Sequence, residues 1–216
     1  MSDATKRARK VPRADRAERF RSQATRDLLV RESLALFLKR GYRQTSVQDM
    51  VDAAGLTKGA FYHHFGSKDD LLLLAHEMYL DSQMAVLQEV ITQALPPSRA
   101  LELAIEGMVH GVMEHRAEVS LFLEERRSFG GPLFEEVRAR RRDFEGAFGD
   151  IIRDGVKRGE FKLDDAEVGI AALSIIGMIS WTYQWLRNEG PNSAKRTAKV
   201  MSKIVVAGLT GDDLVR

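Results

Sequence analysis

The feature that most constrains this sequence is a run of 19 residues, Val168 to Leu186, without a single charged side chain. A helix apolar nearly all round has to be buried on most of its sides. The run is also long enough to cross a membrane. Ser174, Ser180, Thr182 and Gln184 dilute it, however, and no second stretch like it exists, so no membrane partner is expected. In a chain of 216 residues the remaining solution is one face on the chain's own core and another on a second copy. Gly169, Ala171, Ala172 and Gly177 would let helices approach closely there.

Charge is unevenly spread. Residues 1–68 hold 15 Lys/Arg against 7 Asp/Glu, and the remainder holds 18 against 24, although the whole chain nets only +2. A basic first third facing an acidic body points that third at a polyanion. Residues 1–21 carry eight Lys/Arg around Pro12 with little apolar periodicity, so they read as a disordered basic arm. There is no cysteine, which excludes disulfides, thiolate metal sites and cysteine nucleophiles. Met1 to Arg26 is polar and basic, so no secretory or lipid anchor is expected. The expected location is cytoplasmic, at the nucleoid when bound to DNA.

The chain reads as all-α, with about nine helices and no strand alternation. A first helix is expected over Ala24 to Arg40, closed by Gly41. Thr45 and Gln48 have capping-box spacing, so a second helix should start there and end near Ala54. Thr57 caps a third through Phe65. A fourth starts at Lys68 and stops before Pro96-Pro97. Further helices are expected from Pro97-Ser98 to about His115, Ala117 to Ser128, Pro132 to about Gly155–Gly159, Asp164 or Asp165 to about Arg187, and Ser193 to about Gly208. The domains are therefore the arm at 1–21, a three-helix domain at 22–68 and a helical body at 69–216.

Two short helices joined by a glycine-containing turn form a helix-turn-helix, whose second helix enters the major groove. Thr45 to Phe65 has that layout. The second helix would present Lys58, Tyr62 and His63, while Gly59 and Ala60 keep bulk away from the duplex. Helix N-termini direct free amides at phosphates, and Thr45, Ser46 and Thr57 add hydroxyls.

The stretch Gly41 to Leu72, GYRQTSVQDMVDAAGLTKGAFYHHFGSKDDLL, resembles the DNA-binding signature of the TetR family. The resemblance implies that Gln48 and Lys58 read base edges and that Tyr62 touches a base as well as backbone. It implies that Gly59 admits the backbone, and that Thr45, Ser46, Thr57, His63, His64 and Lys68 clamp phosphates. It further implies a homodimer on a palindrome of double-stranded DNA, joined through helices at about 165–187 and 193–208. Ala172, Ile176, Ile179, Tyr183, Val200 and Ile204 are the expected interface. Effector binding would tilt the fourth helix and shift the population away from the DNA-competent state.

The effector pocket is expected among Met108, Val112, Phe122, Phe129, Phe144, Phe148, Met178, Trp181 and Trp185. The segment Gly177 to Leu186 is similar to bodies of TetR members that respond to acyl-coenzyme A thioesters. Arg126, Arg127, Arg138, Arg140, Arg141 and Arg142 would then hold phosphates, or else form a solvated face beside Glu124, Glu125, Glu135 and Glu136. Glu102, Glu106, His110 and Glu114 share one helical stripe. A single helix rarely completes a metal site, so an acidic face is expected and neither metal nor cofactor is assigned. No Walker A loop, nucleophile elbow, dinucleotide fingerprint or HExxH motif occurs, so no enzyme is expected. The expectation is a ligand-responsive repressor released by a small hydrophobic effector. The alternative is an architectural protein binding DNA without sequence preference.

Overall fold

The computed structural model describes residues 13–190 and 192–211. Among these there are nine α-helices and no strands. They are α1 (Arg13–Arg40), α2 (Val47–Ala54), α3 (Lys58–His64), α4 (Lys68–Thr92), α5 (Pro97–Glu114), α6 (Arg116–Glu125), α7 (Gly131–Lys157), α8 (Asp165–Ser180) and α9 (Ala194–Thr210). Short 3₁₀ turns, Arg126–Ser128 and Trp181–Gln184, follow α6 and α8. The chain divides into two compact units, one up to Lys68 and one from Asp69 onward.

Of the arm expected at 1–21, residues 1–12 lie outside the described residues. From Arg13 the chain is already helical, ahead of the expected start at Ala24. Alanine, arginine and glutamate are strong helix formers and carry a helix without an apolar stripe. Within the first unit Leu29, Leu34, Phe37, Met50, Val51, Phe61 and Phe65 form the core, whereas Leu38 is exposed.

In the second unit α5 is the central element. It packs against α9, α7, α8, α6 and the 3₁₀ turn at Trp181–Gln184. Pro96, the residue before it, makes no side-chain cap. Glu160, from the connection after α7, takes over, accepting from the Ser98 amide at 3.0 Å and hydroxyl at 2.7 Å. A carboxylate there also complements the positive end of the helix. Gly155 on α7 lies under the Phe161 ring, which a Cβ would meet at 2.2 Å.

The uncharged run does not form one helix to Arg187. It is α-helical to Ser180 and then tightens into the 3₁₀ turn. Arg116 holds that turn, donating to the carbonyls of Leu186 at 3.2 Å and Gln184 at 3.4 Å. Asp165–Gln184 is long and apolar enough to span a membrane by composition, but Val168, Ala172, Ile175, Ile176 and Ile179 are packed inside the unit.

Two alanine substitutions on α7 test this packing. Gly155→Ala should lose about 1–3 kcal/mol through overpacking against Phe161. Gly146→Ala meets nothing within 4 Å and should gain up to about 1 kcal/mol from helix propensity. Urea unfolding of both variants reads the contrast, and equal effects would contradict the described contact.

Candidate functional site

The start of α2 is built one residue later than the sequence suggests. Ser46, not Thr45, is the N-cap, and Asp49, not Gln48, closes the capping box. The Ser46 amide and hydroxyl donate to Asp49 Oδ2 at 2.8 and 2.5 Å, and the Asp49 amide donates back to Ser46 Oγ at 3.2 Å. These Ser46 bonds, with Arg40 at 3.4 Å, hold the Asp49 carboxyl below its ordinary range. Thr45 is buried and its hydroxyl donates to the Gly41 carbonyl at 2.9 Å. It cannot serve as a phosphate clamp, because its donor is spent inside the domain.

Gly55 sits at φ 66°, in the left-handed region that glycine adopts freely, and it turns the chain from α2 into α3. Thr57 caps α3, accepting from the Ala60 amide at 3.2 Å, so its hydroxyl proton is still available to a phosphate. Lys58, Gly59, Tyr62 and His63 are exposed on α3, while Phe61 is fully buried and Phe65 follows it inward. Tyr62 is 57% exposed, with its ring edge on Phe61. A Cβ at Gly59 would meet only Thr57 Oγ1, at an ordinary 3.7 Å. Nothing in the chain itself requires that glycine, which fits a position approached from outside.

Gln48 is exposed and donates to Asp52 at 2.6 Å. His64 is half-buried, and its pKa is lowered by burial, then by His63 and Arg26. It leans partly inward, unlike the exposed His63. Lys68 is a structural tie. Its Nζ donates to the carbonyls of Tyr42 at 3.0 Å and Thr45 at 3.3 Å, and lies 4.4 Å over the Tyr42 ring. Lys68 thus fastens the α1–α2 connection with two of its three donors.

The residues expected in the pocket separate into two groups. Met108, Val112, Phe122, Phe129, Phe144 and Phe148 are buried. Met108 and Phe144 line a small cavity of about 30 Å³ together with His76, Tyr79, Gln83 and Ile176. Phe122 stacks on His76 at 3.6 Å. Met178 is half-buried, but Trp181 is 60% and Trp185 37% exposed. The tryptophans are no wall of a buried pocket, because the 3₁₀ turn after Ser180 points Thr182, Tyr183 and Leu186 inward instead. His76, Tyr79 and Gln83 on α4 were not singled out from sequence. Their spacing of three and four was the available signal.

Ala172, Ile176, Ile179 and Tyr183, expected at an interface, are buried within the unit. The outward face of α8 carries Ile170, Leu173, Gly177 and then Trp181, and α9 turns Val200 and Ile204 outward. The two faces were indistinguishable where every residue is uncharged. Three of the six arginines of the cluster are paired within the unit. Arg140 bridges Glu77 at 2.6 Å and Asp81 at 2.5 Å, Arg138 pairs with Glu135, and Arg141 reaches Glu145 at 3.7 Å. On the acidic stripe Glu102 pairs with Arg99, and among the described residues no three His, Asp or Glu side chains gather for a metal.

A capped pair of short helices with a polar, exposed second helix, joined to a helical body, defines a DNA-binding transcription regulator. Comparison with known proteins agrees. Residues 29–75 match the family described as bacterial regulatory proteins, tetR family, and residues 94–209 match the tetracyclin repressor-like C-terminal domain. The chain belongs to the TetR family of bacterial transcription regulators, whose members it matches are regulators and not enzymes.

It is 26% identical over 183 residues to the HTH-type transcriptional repressor KstR2 of Mycobacterium tuberculosis, covering 84% of this chain and 91% of that one. The solved structure of that ketosteroid transcriptional regulator superposes with a TM-score of 0.74, over 86% of this chain and 94% of the other. PfmR of Thermus thermophilus superposes with a TM-score of 0.76 at 30% identity, covering 84% and 98%. AibR, solved with isovaleryl coenzyme A and operator DNA, shares the fold with a TM-score of 0.72 at 22% identity, covering 83% and 97%.

Lys68→Met separates fastening from phosphate binding. It should lower stability by about 1–3 kcal/mol, the scale of hydrogen bonds to a charged group, while leaving the salt dependence of DNA affinity unchanged. A slope reduced by about one, as for a lost phosphate contact, would return Lys68 to the interface.

Proposed function

We propose that the protein is a cytoplasmic, ligand-responsive repressor that binds a palindromic operator as a homodimer and is released by a small hydrophobic effector. The observation that carries this reading is the division of α3: Lys58, Gly59, Tyr62 and His63 face outward while Phe61 and Phe65 are buried. Base reading falls to Gln48, Lys58 and Tyr62. Phosphate contacts fall to Thr57 and His63, with the free first-turn amides of α2, since the Ser46 hydroxyl is spent on Asp49 as that of Thr45 is on Gly41.

The outward apolar face of α8 and α9 supports the homodimer. Ile170 is 68% exposed, Leu173 55%, Trp181 60% and Val200 50%. Such a patch marks an association surface, and a two-fold dimer reads half-sites about 34–36 Å apart. An acyl-coenzyme A thioester is our leading effector class. KstR2 is a ketosteroid regulator and AibR was solved with isovaleryl coenzyme A, and this chain shares their fold. Effector binding shifts the population between DNA-competent and incompetent states.

Pull-out of genomic fragments by the purified protein, with and without a pool of acyl-coenzyme A thioesters, tests the whole reading. A single palindrome, released by the pool, is the expected result. Recovery without sequence preference would replace it with an architectural role. Lys58→Ala and Tyr62→Ala should each cost about 1–3 kcal/mol of operator affinity and leave the dimer intact by light scattering. Leu173→Glu should convert the dimer to a folded monomer in sedimentation. A dimer unaffected by that charge would place the interface elsewhere.

A further inference from the structure

The cavity on α4 contains polar atoms that its own fold leaves unpaired. His76 and Gln83 lie seven residues apart, two turns along one stripe of the helix, and are 2% and 3% exposed. Nδ1 and Nε2 of His76 and Oε1 of Gln83 have no hydrogen-bond partner. Only the Gln83 amide nitrogen finds one, a long contact of 3.5 Å to Ser82 Oγ. Unpaired buried polar atoms are costly, and each in a native protein calls for a reason. A leucine in place of the glutamine would avoid that cost.

The fold makes room for this amide on the opposite helix. Gly111 lies within α5, and a Cβ there would stand 1.9 Å from Gln83 Nε2 and 2.7 Å from Oε1. Glycine in a helix interior sacrifices propensity. Here it opens a slot for a polar group that gains nothing from the surrounding apolar packing. The imidazole is equally constrained, lying parallel to Phe122 at 3.6 Å.

We propose that this cavity seats a hydroxyl group of the effector, so that the ligand is a largely apolar molecule with a hydroxyl at its buried end. This rests on the ligand-responsive reading above. Hydrogen-bond polarity selects the group. Burial, and then the charge of Arg141, keep His76 neutral, so its ring offers one donor and one acceptor. The Glu118 carbonyl faces the ring without closing a hydrogen bond. If the ring N–H turns to it, the other ring nitrogen and Gln83 Oε1 remain, and both are acceptors. A ketone, ester or thioester carbonyl has no proton to give them. A cation has one, but Arg141 lines the same cavity and opposes it. A neutral hydroxyl donates to one of the two acceptors, and its oxygen can accept the N–H that the Gln83 amide nitrogen has to spare.

The remaining walls are mainly apolar, Leu80, Met108, Phe144 and Ile176 among them, with Ser180 and the Arg141–Glu145 pair as polar members. The volume of about 30 Å³ holds a hydroxyl or one water molecule. Room for the rest of the ligand comes from side chains such as Met108, whose unbranched thioether adapts readily.

Cyclohexanol and cyclohexanone are matched in size and differ in the proton, and both dissolve at the concentrations a weak probe needs. Their affinities are read from the unfolding midpoint of the full chain against probe concentration. The alcohol should bind about tenfold tighter, equivalent to about 1.4 kcal/mol. Gln83→Leu should reduce the ratio to near one without lowering the midpoint of the unliganded protein. Gln83→Met, of similar volume, should do the same. The proposal is overturned if the two probes bind within twofold of each other, if neither binds, as when the cavity holds only water, or if Gln83→Leu keeps the ratio. Alcohol preference without any release of operator DNA would support the seat and sink the effector reading instead.

Discussion

The burial of α5 is the constraint on which the larger domain depends. Leu101, Ala104, Ile105, Met108, Val109 and Val112 are all buried, each large side chain stabilising by about 1.5–3 kcal/mol relative to exposure. They are buried because α7, α8 and α9 close around them. The side toward α4 is carved differently. Gly107 and Gly111 lie one turn apart, and their missing Cβ atoms admit Val86 and Gln83 of α4, which a Cβ would meet at 2.4 and 1.9 Å. Close packing fixes the helix pair, and the same closeness fixes which α4 side chains can face the cavity.

The smaller domain solves a different problem, holding a seven-residue helix in place when isolated helices of that length are unstable. Its solution is polar. Ser46 and Asp49 cap α2, Thr57 caps α3, and Thr45 and Lys68 bond the backbone of the α1–α2 connection. Charged and hydroxyl groups that look like DNA contacts are therefore divided between fastening the helices and facing outward. The division leaves the exposed face of α3 with few donors: Lys58, Tyr62 and His63.

How much of this was legible varied with the distance of the partner. Helix bounds set by Gly41, Gly55 and Pro97 were readable because those residues act on their own backbone. Thr45 and Ser46 are chemically alike, so which of them caps α2 depended on a carboxylate three residues on. The arginines of α7 could not be resolved from sequence, since Arg140 meets Glu77 and Asp81 on α4 some 60 positions away. The uncharged run implied that α8 is covered on several sides. It carried no sign of which side meets the chain's own core, and none of the tightening after Ser180 that turns Trp181 outward.

That turn has an optical consequence. The chain has two tryptophans, and both fall at the end of α8, one largely exposed beside the apolar face and one partly so. Nearly all indole emission of the molecule therefore originates within a few residues of a single turn, with no background from the DNA-binding domain. Whatever comes to cover that face will change the colour and quenching of the light.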